Sequence, residues 1–199
     1  MSLKNWLFLI LCFKFLLITG QNFERVEYKI GLNDIANNNG VAVADFDNDN
    51  DLDLFIVAHS RENPDDPLTY SRLMQNNNDG TFTDITFEMG LFDLYTIDES
   101  IDEFYGLTGT KFGVSWGDYN NDSYPDLVFT FNDKLLIYRN NQANSFTNVT
   151  TELGFNEITE CGYTGATWFD YDNDGLLDLF LCDWGQCNEG NALYRNLGG

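Results

Sequence analysis

The chain has 199 residues and a formal net charge of −22, from 32 acidic side chains against 10 basic ones. So acidic a chain is a poor partner for nucleic acid or for an anionic membrane surface. Its four cysteines and single histidine, His59, leave little material for a soft-metal site or for histidine-based acid–base chemistry.

In chain order, residues 1–20 (MSLKNWLFLILCFKFLLITG) come first. Lys4 leads an apolar stretch from Trp6 to Ile18, broken only by Lys14, and Gly20 stands at a cleavage edge. This pattern predicts a secretory signal peptide, because the run is short for a membrane span and carries a charge. No later apolar run is long enough to cross a membrane. Without Lys4 and Lys14 the charge becomes 8 − 32 = −24. Cys12 leaves with the leader, so Cys161, Cys182 and Cys187 allow one disulfide and one free thiol in an oxidising compartment.

Three copies of one pattern follow. FERVEYKIGL begins at Phe23, FTDITFEMGL at Phe82 and FTNVTTELGF at Phe146, separated by 59 and 64 residues. Each is expected to be a strand with period-two alternation that ends at a glycine turn. Next come GVAVAD from Gly40, GVSWGD from Gly113 and GATWFD from Gly165, leading into the acidic runs DFDNDNDLD (45–53), DYNNDSYPD (118–126) and DYDNDGLLD (170–178). After these come LDLFIVA, DLVFTF and LDLFLC, then RLMQNN, LIYRNN and LYRNLG. The repeats are taken as 23–81, 82–145 and 146–199, with insertions at His59–Ser71 and Phe92–Lys111.

Four short strands recurring at this period predict an all-β fold of β-propeller blades, about three of them. Small Ala42, Ser115 and Thr167 alternate with larger Val43, Trp116 and Trp168, as packing of blade on blade requires. A β-helix would use shorter coils, and a sandwich would not repeat its sequence so closely.

The acidic runs carry the chemistry. DYDNDGLLD places Asp170, Asp172, Asp174 and Asp178 at its first, third, fifth and ninth positions. Gathered together, these carboxylates repel by roughly 1–4 kcal/mol per close pair unless a cation joins them. Hard oxygen ligands at alternate positions, with Gly175 at the sharp turn, suit Ca²⁺ better than Mg²⁺, which prefers to keep its waters. An EF-hand would place Glu at the twelfth position, where Ile56, Phe129 and Leu181 stand in strand-like runs.

Loop, following LDL and closing YRN recur together, and in this the chain resembles the FG-GAP or VCBS repeat family of integrin-α-like propellers and of secreted proteins similar to cartilage acidic protein. The resemblance covers everything after the leader. It implies that each repeat is one blade and that the acidic loop joins its first two strands and binds Ca²⁺, up to three ions in all. Carried over, Asp45, Asp47, Asp49 and Asp53 with the carbonyl of Asp51 would hold one ion. Asp118, Asn120, Asp122 and Asp126 with the carbonyl of Tyr124 would hold a second, and Asp170, Asp172, Asp174 and Asp178 with that of Leu176 a third. Asn50 replaces the turn glycine of the first loop, a position Asn tolerates. The second loop has Asn120, Ser123 and Pro125 against the pattern and ranks weakest.

Phe23–Tyr28 corresponds to the outer, fourth strand of a blade whose first three strands do not precede it. The expectation is therefore a partial propeller, a fragment of a larger one.

Strand alternation puts the acidic loops at one end and both insertions, Asp183, Trp184 and the three later cysteines at the other. Cys161 there reaches Cys182 or Cys187, and the pair expected is Cys161 with Cys187. Long loops on a rigid scaffold are where binding sits, so Tyr70, Tyr95, Tyr105 and Trp184 become candidate contacts for an extracellular protein or glycan. The alternative is an accessory or catalytic domain of a polysaccharide-active or phosphodiester-cleaving enzyme. The sequence has no nucleophile elbow, HExxH or phosphate loop, so no catalysis is expected. Two sequons start at Asn121 and Asn148, and Asn148, in an outer strand, is the better glycan acceptor.

Overall fold

The structure is a computed structural model, and it describes residues 23–32, 38–58, 71–91, 111–131, 135–155, 162–183, 185 and 190–199. The leader, both insertions apart from Ser71 and Lys111, Cys161, Cys187, Tyr70, Tyr95, Tyr105 and Trp184 lie outside the described residues. No helix among the described residues is long and apolar enough to cross a membrane.

Among the described residues the fold is all-β, with eleven strands in three antiparallel sheets. The first sheet runs in the order β1 (Asn38–Ala44), β2 (Asp53–Ala58), β3 (Arg72–Asn76) and β4 (Phe82–Asp84). The second repeats it with β5 (Lys111–Gly117), β6 (Asp126–Phe131), β7 (Leu135–Asn140) and β8 (Phe146–Asn148). The third has β9 (Tyr163–Phe169), β10 (Asp178–Asp183) and β11 (Ala192–Tyr194). The pairs Ala44↔Asp53, Gly117↔Asp126 and Phe169↔Asp178 close the first hairpin of each sheet, so every acidic run is the turn between an inner strand and the next.

Face-to-face packing explains the strand sequences. β6 reads as a continuous apolar run because both its faces are covered. Leu127 and Phe129 join a core with Phe46, Phe55, Leu73 and Leu91 of the first sheet, while Val128 joins one with Leu179 and Leu181 of the third. Each fully buried side chain of this size contributes about 1.5–3 kcal/mol. Trp116 lies between the first two sheets against Phe46, Phe55 and Phe146, and Trp168 stacks on Tyr119 between the second and third. Of the expected alternation, Trp116 and Trp168 serve packing of sheet on sheet, while Thr167 is exposed. Val43 is half exposed and belongs to neither buried core. The inner strands β5 and β9 approach so closely that a Cβ on Gly113 would stand 2.6 Å from the Gly165 Cα, and one on Gly117 2.6 Å from the Trp168 ring.

The outer strands differ from expectation. Only Phe82–Asp84 and Phe146–Asn148 are strand; the rest of each decapeptide folds into a turn, with Met89 N–H bonded to Ile85 O and Leu153 N–H to Val149 O. The reason is side-chain competition for the backbone. Asp84 accepts from Thr86, and the Thr86 hydroxyl accepts the Leu73 N–H; Asn148, Thr150 and Ile137 repeat this arrangement. Phe23–Tyr28 is not a strand at all, and Glu27–Lys29 is a single 3-10 turn. An edge strand needs a neighbour to pair with, and the described residues supply none beside Phe23.

Candidate metal centre

Each acidic loop is shaped by two residues in the left-handed region, at its fourth and sixth positions: Asn48 and Asn50, Asn121 and Ser123, Asn173 and Gly175. Glycine is natural there and asparagine tolerable, whereas Ser123 at φ 74° carries the strain. The bend turns the first Asp of each loop inward. Asp45 accepts the N–H groups of Asp49 and Asn50, Asp118 those of Asp122 and Ser123, and Asp170 those of Asp174 and Gly175, all at 2.8–3.1 Å.

In the first loop, carboxylate oxygens of Asp45, Asp47 and Asp49 lie within 4.8 Å of one another; in the third, those of Asp170, Asp172 and Asp174 do the same. Buried Oδ1 of Asp47 and both carboxylate oxygens of Asp51 have no hydrogen-bond partner. Burial, then the neighbouring Asp49, Asp47 and Asp45, push the Asp51 carboxyl above its usual range. An all-oxygen cluster with unpartnered buried oxygens fits a hard cation such as Ca²⁺. The resemblance implies only the Asp51 carbonyl as a ligand, and its carboxylate also feels the charges of Asp49, Asp47 and Asp45.

The second loop does not bring three carboxylates together. The Asn120 amide donates to Asp122 at 3.2 Å and accepts the Asp122 N–H at 3.0 Å, so it satisfies Asp122 internally. Tyr124 and Leu176, expected as carbonyl ligands, give their N–H groups to Asp122 and Asp174. In the third loop a cation is already close: Arg195 bonds Asp172 at 2.8 Å and Asp174 at 3.0 Å. Those carboxylates raise the Arg195 pKa, while the Leu176 N–H, followed by Arg195, lowers that of Asp174.

The ninth-position carboxylates sit behind the clusters. Asp53, Asp126 and Asp178 are buried, and each spans two strands. One oxygen accepts from the second loop residue (Phe46, Tyr119, Tyr171) and the other from an Asn at the end of the third strand (Asn76, Asn140) or two residues beyond it (Asn196). Burial outweighs these bonds, pushing Asp53 up to about 6 and Asp126 up to about 7.

Two sets of residues missed in the sequence tie the sheets together. Asn140 donates to Pro125 O and, across the sheet boundary, to Phe46 O; Asn196 likewise donates to Leu177 O and Tyr119 O. At the loop tips, Asn48 donates to Ser123 O and Asn121 to Gly175 O, chaining each loop to the next. The signal was present, since an Asn stands second in every QNN, RNN or RNL and another holds the fourth place of every loop. Asn121 is engaged in this contact, whereas Asn148 is an exposed residue of β8. Cys182 is exposed with a free thiol.

The family model described as an FG-GAP-like repeat matches residues 118–181, from the second acidic loop through the third and into β10. No curated protein matches the chain. Residues 118–181 thus carry an FG-GAP-like repeat, within propeller-type sheets that reuse one loop-and-clamp plan three times.

Proposed function

We propose that this is a secreted, calcium-stabilised propeller scaffold whose loops opposite the acidic turns meet an extracellular protein or glycan. One observation carries the metal reading: the convergence of Asp45, Asp47 and Asp49 beside the unpartnered oxygens of Asp47 and Asp51. The donor set would hold Ca²⁺ in the first loop and, once Arg195 swings aside, in the third. The second loop would bind more weakly, because Asn120 lacks the charge and occupies Asp122. Bound ions would offset carboxylate repulsion and stiffen the turns that Asn48 and Asn121 chain together.

Secretion is supported by the leader-like residues 1–20 and by the likeness to FG-GAP repeats. Ala58, Arg72 and Lys111 are strand ends remote from the acidic turns, and loops joined at that end would serve recognition without disturbing the clamps. In this reading the segment binds and does not catalyse. The test replaces 92–110 by a short turn and compares adhesion to immobilised matrix proteins and glycans, with calcium-dependent melting as the fold control. Loss of adhesion with melting unchanged is expected. Adhesion that survives the replacement contradicts the assignment of that face.

A further inference from the structure

The turns that end β4 and β8 are built alike. In the first sheet Asp84 Oδ1 accepts the Thr86 N–H at 3.1 Å and the Thr86 hydroxyl at 2.6 Å, and that hydroxyl accepts the Leu73 N–H at 2.9 Å. In the second sheet Asn148, Thr150 and Ile137 make the same bonds at 3.1, 2.7 and 2.9 Å. The turn therefore draws on one side-chain oxygen, which aspartate and asparagine supply equally. The second terminal atom is where the copies differ. Asp84 turns its other oxygen to the Arg72 guanidinium at 3.5 Å. Arg72 pairs with the twelfth-position Ile56 and Leu136 with the twelfth-position Phe129, so Leu136 stands where Arg72 does. An apolar side chain replaces the cation, and a neutral amide replaces the carboxylate.

That replacement turns a structural turn into an acceptor sequence for N-linked sugar, Asn148-Val149-Thr150. Asn148 is exposed on the outer strand β8, while Val149 and Thr150 are buried at 1% and 8% exposure. A group joined to Asn148 Nδ2 leaves both Oδ1 bonds of the turn in place. The other acceptor sequence, Asn121-Asp122-Ser123, is placed differently. Asn121 Nδ2 donates to Gly175 O at 3.2 Å, and Asp118 holds the Ser123 N–H at 2.8 Å. A sugar on Asn121 would part the second acidic loop from the third.

We propose that Asn148 carries an N-linked glycan and that Asn121 does not. The donor is of the lipid-diphosphate oligosaccharide class. The bond from Nδ2 to the sugar C1 forms as the C1–O bond to the lipid diphosphate breaks, and one Nδ2 proton passes to solvent. The glycan stands on the outer edge of the second sheet, where its bulk opposes addition of a further strand to β8. The inference rests on the secreted reading of the chain and stands apart from the metal reading.

The test expresses the full chain with its own leader in a glycosylating eukaryotic host and recovers it from the medium. Release of N-glycans by peptide-N-glycanase in heavy-oxygen water should label position 148 alone, read by mass spectrometry of the peptides. Asn148→Asp keeps the oxygen that Asp84 uses, so it should be secreted folded and without the glycan. Asn148→Ala loses the glycan and both turn bonds, and should melt below Asn148→Asp. A secreted chain without sugar at Asn148, sugar on Asn121, or a glycan that persists in Asn148→Asp would each overturn the inference and leave secretion standing. A chain retained in the cell without any glycan would overturn the secreted reading and the inference with it.

Discussion

Replacing Asn140 by Ala probes the clamp between sheets. Its Nδ2 donates to Phe46 O at 2.8 Å and Pro125 O at 3.1 Å, and its Oδ1 accepts the Ala143 N–H at 2.8 Å. At about 1 kcal/mol net per bond, the three together are worth about 3 kcal/mol. For a chain of this size that lowers the melting temperature by roughly 6–12 °C. Asn76 is the internal control. Its side chain makes two bonds within the first sheet, to Leu52 O at 3.2 Å and from Asn78 N–H at 3.1 Å, both exposed. Asn76→Ala should cost about 1 kcal/mol. Urea denaturation of both variants in saturating calcium, at constant m-value, reads the difference. Equal costs would refute the claim that the bond to Phe46 holds the sheets together.

Gly117→Ala should destabilise by about 1–3 kcal/mol, because its Cβ meets the Trp168 ring at 2.6 Å; calorimetric melting checks this. Asn120→Asp should create a third strong ion site in the second loop, raising the stoichiometry measured by titration calorimetry. Arg195→Ala should tighten calcium binding at the third loop several-fold by removing the competing guanidinium, and unchanged affinity would count against that role. For ion-free protein, Asp126 at about 7 and Asp53 at about 6 lie above their unfolded values. Their contribution is complete below about pH 4 and is lost as pH rises through those folded values. Melting in chelator should therefore be higher near pH 5 than near pH 8, while calcium affinity should fall on acidification as protons compete.

Much of this architecture is legible in the residues. The acidic runs, the apolar strands after them and the phenylalanine-led decapeptides recur because each serves the same place in a repeated sheet. Asn50 in the left-handed region was readable from loop chemistry, as was the lack of a third carboxylate at Asn120 in the second loop. What local pattern could not supply is the brevity of β4 and β8. Their alternation fits a full strand, but Thr86 and Thr150 hydroxyls take backbone N–H groups of the third strands and the chain turns away. Phe23–Tyr28 has the sequence of an outer strand without a neighbour to pair with, and strand propensity alone does not make a strand. The ninth-position carboxylates look like simple ligands in the sequence. Each takes one backbone N–H from its own loop and one from the end of the third strand or just beyond it, which makes them struts between the two.

The central claim is that the acidic loops gather calcium. Titration calorimetry of the wild-type chain beside Asp47→Asn and Asp172→Asn variants tests it most directly, with melting temperature followed in calcium and in chelator. Two strong sites and a weaker third, one strong site lost in each variant, and a melting temperature that falls on chelation are predicted. No heat of binding and a melting temperature indifferent to calcium and chelator alike would contradict it.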